Sequence, residues 1–242
     1  MLRRALLLTA VLPAWLLLSG CSTVEGQQAQ TLLAEADAAQ AALTSSSFEG
    51  GVSFGVAGQE VSLRFEGAAS GSDGYLAMSS DTLPGVNTTV IARGGEIWTN
   101  AEGAWERLPA GVAPDVSSST SLGAAAFSQL TKHVRDVRVT EGQIVGGRPV
   151  SIVAGELDTA GLVGAMSGLS GLGELGGGVD IDDLREQLGD VEAVLTIDVG
   201  TKLLTSALVT LGVGSGDEAV EVRVEYRLTS SNEPVRIPSP GA

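Results

Sequence analysis

The chain has 242 residues, with 29 acidic against 14 basic and a net charge of −15. A body this acidic is repelled by nucleic acid and by bare anionic lipid surfaces, which excludes nucleic-acid binding. With 43% hydrophobic and 18% charged residues it is not a disordered chain. One Cys and one His exclude a disulfide framework and any multi-His or Cys/His metal site. Glycine is abundant, 33 residues, but has no G-X-Y period.

The start reads Met1-Leu-Arg-Arg4, then an apolar run from Ala5 to Leu18 broken by Pro13, then Ser19-Gly20-Cys21. A basic start, a short apolar stretch and small residues at its end make a secretory leader. The run is shorter than the ~20 residues of a spanning helix. Leu18-Ser19-Gly20-Cys21 resembles the bacterial lipobox. That resemblance implies cleavage before Cys21, a diacylglyceryl thioether on its sulfur and an acyl chain, such as palmitate, on the freed amine. Two or more chains anchor stably where one does not. Residues 1–20 are therefore expected to be the leader and 21–28 a lipidated tether, reaching at most about 28 Å when extended.

Gln27–Leu43 is rich in good helix formers, and Leu32, Ala36, Ala39 and Leu43 make one apolar stripe with Leu33 beside it. Thr44–Ser47 is expected to end that helix. The period then changes to two. Phe48, Val52, Phe54 and Val56 alternate with small or polar residues, and after a turn at Ala57–Gln59 so do Val61, Leu63 and Phe65. Further strands are expected at Gly74–Ser79, Val86–Arg93, Glu96–Asn100 and Trp105–Leu108, the middle pair joined through Gly94-Gly95.

Pro109 and Pro114 mark a loop, and Ser121–Lys132 carries a short helical stripe. Val134–Val145 and Arg148–Leu157 flank Gly146-Gly147, another hairpin turn. Residues 159–189 interrupt the alternation. Three clear strands follow: Val191–Val199, Lys202–Val213 and Val220–Leu228. The tail from 229 to 242, with three prolines, is expected to be flexible. Such alternation gives a sheet with one buried and one wet face. The expected fold is α+β: a single large curved antiparallel sheet, a half-barrel, with helices packed on its concave side. Residues 29–228 form its one domain.

Several apparent catalytic motifs lack their context. Gly51-Val-Ser53-Phe-Gly55 has the G-x-S-x-G pattern, but the nucleophile elbow needs a strand-to-helix turn, and Ser53 sits in an alternating strand. Gly171-Leu-Gly173-Glu-Leu-Gly176 has no strand before it. His133, with Asp136 nearby, reads as a surface or capping residue. Asp180, Asp182 and Asp183 lack the glycine and distal glutamate of a calcium loop and precede a helical stretch, where they serve as caps. No enzyme activity, catalytic residue, cofactor or metal is expected.

The segment 161–178 combines eight glycines with Leu162, Val163, Met166, Leu169, Leu172 and Leu175. Glycine lowers its helix stability, while six large apolar residues are more than a plain loop needs; it is read as a mobile apolar flap that touches lipid.

The order of elements is a lipidated cysteine, a short tether, a helix, many antiparallel strands, then a helical interruption before three last strands. It resembles the LolA/LolB/LppX superfamily, in particular actinobacterial lipoproteins of the LppX/LprG type. Glu96-Ile-Trp98-Thr99 with Gly103-Ala-Trp105, and Gly147-Arg-Pro-Val150, resemble local features of that family. The resemblance implies a half-barrel over helices, with an apolar cavity that holds acyl chains and a lipid or glycolipid carried through the cell envelope.

The face formed by Phe54, Leu63, Phe65, Leu195, Ile197, Val222 and Val224 is the expected ligand-binding face. The chain is expected to be a monomer, anchored at the extracytoplasmic face of the cell membrane through Cys21, with a membrane transporter as a candidate partner. The alternative is a non-catalytic sensor or interaction lipoprotein that binds a protein with the cavity collapsed.

Overall fold

A computed structural model describes residues 21–56, 59–83, 86–101, 103–108, 130–158, 188–213 and 220–241. Helix α1 spans Cys21–Ala41. Then come β1 (Ser45–Val56), β2 (Gln59–Ser70), β3 (Asp73–Ser79), β4 (Asn87–Arg93), β5 (Glu96–Ala101) and β6 (Ala104–Arg107). After a helical turn at 130–133 come β7 (Val134–Val145), β8 (Arg148–Leu157), β9 (Leu188–Asp198), β10 (Leu204–Val213) and β11 (Val220–Ser231).

The strands form one open antiparallel sheet in the order β6-β5-β4-β3-β2-β1-β11-β10-β9-β8-β7. Each arm is a meander, and pairing of the first strand with the last joins the arms at the centre. The sheet is the expected half-barrel, with β6 and β7 as its free edges. Both Gly-Gly hairpins form as read. Gly94 and Gly95 take φ +61° and +80°, and Gly146 and Gly147 take +58° and +80°, the left-handed pair that a type I′ turn requires.

Helix α1 crosses the inner face of the β7–β11 arm. Its buried line is Ala29, Leu33, Ala36 and Gln40, one residue off the stripe that the apolar pattern suggests. Leu33 and Ala36 join Val153, Leu195, Ile197, Leu204 and Val209 in the core. The rotation puts a polar residue on the buried line because Gln40 meets the Tyr226 side chain, which carries a polar hydroxyl into the same core. Ion pairs Lys202–Glu35 (3.2 Å) and Lys132–Asp37 (3.6 Å) flank the helix on opposite sides.

Three boundaries differ from expectation. The tether is helical, since α1 begins at Cys21; eight residues at helical rise span about 12 Å, less than half the extended reach. The Thr44–Ser47 cluster opens β1 instead of closing the helix, because Ser45 and Ser46 pair with Ser70 and Ala69. The tail expected to be flexible makes specific contacts over its described part. β11 runs to Ser231, and Asn232 then ties the chain down: its N–H donates to the Ser45 carbonyl (2.8 Å) and its Oδ1 accepts from the Thr44 N–H (2.9 Å). Ser45 Oγ donates to the Glu233 carbonyl, and Arg93 donates to Ser239 Oγ at 2.5 Å. The tail thus straps the outer face of the β1–β6 arm as far as Trp98 and Trp105, where Pro240 sits. Tail hydrogen bonds to fixed backbone groups offset the ordering cost that makes a terminus fray.

Candidate functional site

The alternation in β1, β2, β9, β10 and β11 puts their apolar residues on one side of the sheet, and the register aligns them across strands. Phe54 pairs with Val61 on one side and Val222 on the other; Val52 pairs with Leu63 and Val224. From Val224 the row continues to Val209 and Ala193. A parallel row runs from Phe65 through Gly50, Tyr226, Ala207 and Leu195 to Val153. All seven residues named above, Phe54, Leu63, Phe65, Leu195, Ile197, Val222 and Val224, therefore lie on this inner face.

Their burial is graded. Leu195 and Ile197 are fully buried beneath the α1 side, whereas Phe54, Leu63, Phe65, Val222 and Val224 are half-buried. Met78 on β3 and Leu228 on β11 extend the half-buried part. An apolar surface that its own helix leaves partly uncovered can take further apolar groups, since its burial is incomplete.

Polar groups on this face are few. The Tyr226 ring packs near Phe48, with centroids 6.0 Å apart. Burial holds its hydroxyl well above the usual tyrosine range, with the Gln40 side chain beside it acting in the opposite sense. This buried Gln40–Tyr226 pair was not legible in the alternation, because a lone Gln in an Ala-rich helix carries no signal of burial.

The outer face carries the charges. Across β2, β1, β11, β10 and β9 an open groove of about 1180 Å³ is lined by charged Glu49, Glu60, Glu66, Glu225, Arg64, Arg223 and Arg227, with Val194 and Leu208 among them and with Val52, Leu63, Phe65 and Met78 of the apolar rows also at its lining. Some of these charges pair, Arg227 with Glu49 at 3.6 Å and Arg223 with Glu221 at 3.5 Å. Stripping water from such charges to seat an acyl chain is unfavourable.

Ser53 lies mid-strand in β1, between Ser62 and Arg223, on this charged face, with no helix following it. His133 does not face Asp136: its Nδ1 lies 3.8 Å from Asp158 Oδ1, and Arg135 also binds the Asp158 carboxylate. The flap residues Leu162, Val163, Met166, Leu169, Leu172 and Leu175, the 171–176 glycine motif and Asp180, Asp182 and Asp183 lie outside the described residues, as does most of the expected helix before Lys132. Among the described residues, no helix is long and apolar enough to cross a membrane.

No protein-family model and no curated protein matches the chain. Solved structures do. LprF from Mycobacterium bovis superposes with a TM-score of 0.54 at 15% identity, covering 89% of this chain and 98% of that one. The lipoprotein LppX from Mycobacterium tuberculosis gives 0.49 at 14% identity, with coverage of 88% and 99%. The LolA superfamily protein NE2245 from Nitrosomonas europaea gives 0.31 at 10% identity, with coverage of 84% and 94%. The chain has the fold of LprF over the matched 89% of its length.

Proposed function

We propose that the chain is an envelope lipoprotein, tethered to the membrane by acyl chains on Cys21, that holds the acyl chains of a lipid or glycolipid against the inner face of its sheet and carries it through the envelope. The observation that carries this reading is the half-buried apolar row Phe54–Val222 and Val52–Val224, with Leu63 and Phe65 beside it. Each methylene placed on it contributes about 0.8 kcal/mol. A dozen or so outweigh the cost of association and ordering. Recognition by such a face is by length and shape, so it needs no polar motif, in keeping with a sequence that offers none.

The test is a titration of the purified protein with a fluorescent fatty-acyl probe. Leu63→Asp and Val224→Asp place a carboxylate on the half-buried row; Val224 also packs against the buried core, so a thermal melt of each variant accompanies the titration. Each lowers probe affinity at least about tenfold, the equivalent of losing one aliphatic contact of about 1.5–3 kcal/mol. Equal affinity in both variants contradicts the reading. The second reading, an interaction lipoprotein, is favoured by the outer groove, whose alternating Glu and Arg side chains suit an extended polar segment of a protein partner. It predicts that groove variants, not inner-face variants, alter binding.

A further inference from the structure

Among the described residues four large hydrophobic side chains are exposed, and three of them gather at one end of the sheet. Ile144 is 74% exposed, Val145 51% and Val199 41%. Ile144 and Val145 close the β7–β8 hairpin, paired with Pro149 and Arg148. Val199 opens the β9–β10 turn and donates its N–H to the Pro149 carbonyl at 3.1 Å, so the two turns abut. Pro149 is exposed as well. The charged residues of the two turns, 142–149 and 199–202, are Arg148 and Lys202. Acidic groups stand next to them: Glu141 just before the hairpin tip, Asp198 just before the β9–β10 turn, and Glu35, which pairs with Lys202 at 3.2 Å, so the tip itself is apolar and the charges beside it are of both signs.

The same end carries the start of α1. Gln28 Nε2 donates to Glu141 Oε1 at 2.7 Å. From that contact Cys21 lies seven residues back along the helix, about 10 Å. Ile144 lies three residues on along the strand, again about 10 Å. A body held by Cys21 can therefore swing its hairpin tip onto the surface in which its acyl chains sit, because the helical start leaves little slack between them.

We infer that the β7–β8 hairpin tip, Ile144 and Val145 with Val199 and Pro149 beside them, is a second membrane contact that seats in the lipid headgroup region and fixes how the domain faces the bilayer. This rests on the reading of Cys21 as the lipid anchor. The occupant of the patch is the lipid surface, since the anchor brings that surface within reach and a cluster of exposed aliphatic side chains at a turn suits the headgroup boundary.

The experiment uses the full acylated chain reconstituted in phosphatidylethanolamine–phosphatidylglycerol vesicles. Cys21, the sole cysteine, has its sulfur in the thioether, so Val145→Cys supplies one free thiol for an environment-sensitive dye. Glu225→Cys, on the opposite face of the central sheet, is the reference. The inference expects the dye at 145 to be quenched several-fold more by nitroxide-bearing lipid, and several-fold less by iodide, than the dye at 225. If the protein floats with the vesicles while the dye at 145 is as open to iodide as that at 225, the second contact is wrong and the anchor stands. If the chain does not float with the vesicles, the anchor reading fails and takes this inference with it.

Discussion

The Phe65 ring lies over Gly50, its cross-strand partner, with Cε2 2.6 Å from where a Cβ on Gly50 would stand. Two residues along, the arrangement is reversed: the Phe48 ring covers Gly67, with Cε2 2.9 Å from the corresponding point. The bare backbone lets both rings lie flat against the sheet at its centre, where β1 joins the arms. This is how a chain with few aromatics closes the middle of its inner face.

Gly50→Ala therefore destabilises the fold by about 1–3 kcal/mol through overpacking. Gly55→Ala, where a Cβ meets nothing within 4 Å, changes stability by less than about 1 kcal/mol. Urea unfolding of the two variants checks the contrast. Equal effects show that both the Phe65 ring and the Glu225 backbone carbonyl, which lies nearer still to that Cβ position, have room to move.

The β9–β10 turn is built on one carboxylate. Asp198 Oδ1 accepts from the N–H groups of Thr201 (2.8 Å) and Gly200 (2.9 Å) and from the Thr201 hydroxyl (3.0 Å). The Thr201 backbone bond leads in holding its pKa below the usual carboxylate range; its burial opposes the shift, while the Thr201 hydroxyl, the Gly200 N–H and the charge of Arg148 add to it. A folded pKa below the unfolded value gives stability that is present above about pH 4 and is lost as pH falls through the folded pKa. Asp198→Ala costs about 1.5–3 kcal/mol at neutral pH, and the loss shrinks as pH falls below 4. Unfolding measured from pH 7 to 2 checks both.

At the alkaline end the sign reverses. Burial raises the pKa of Tyr226, and burial with the Glu66 charge raises that of Tyr75. Below the unfolded tyrosine pKa, about 10, this contribution is fully present. Above it the unfolded state loses a proton that the folded state keeps, so stability falls by about 1.4 kcal/mol per pH unit for each such tyrosine. Tyr226→Phe removes one tyrosine's share of that slope between pH 10 and 11.5. An unchanged slope contradicts the burial of its hydroxyl.

Replacing Cys21 by Ala removes the only acylation site the leader offers. The variant leaves the membrane fraction and appears in the soluble extracytoplasmic fraction. Retention through salt and carbonate washes contradicts the anchor.

Much of this was legible because alternation survives in the strands that matter. The rows through Phe54, Val222 and Val224 follow directly from period two, as do the hairpins from Gly94-Gly95 and Gly146-Gly147. What escaped depends on long-range partners. The buried line of α1 turned by one residue because Gln40 is matched by Tyr226, 186 positions away in sequence. The strand over 86–93 was expected with no face assigned, and Ile91 is fully buried there, in the arm that the tail straps. Three prolines read as a frayed end, and nothing local in Asn232 announces that it will bind Thr44 and Ser45.

The central claim is that the inner face holds acyl chains, and the most direct measurement is lipid mass spectrometry. The Cys21→Ala protein, which carries no acyl chains of its own, is purified from the cell envelope and extracted with organic solvent. The account predicts a co-purifying acyl lipid near one equivalent per chain, falling several-fold in Leu63→Asp at unchanged protein yield. An extract of the folded protein with no lipid above the level of an unrelated secreted control, together with no uptake of an added acyl probe, contradicts it.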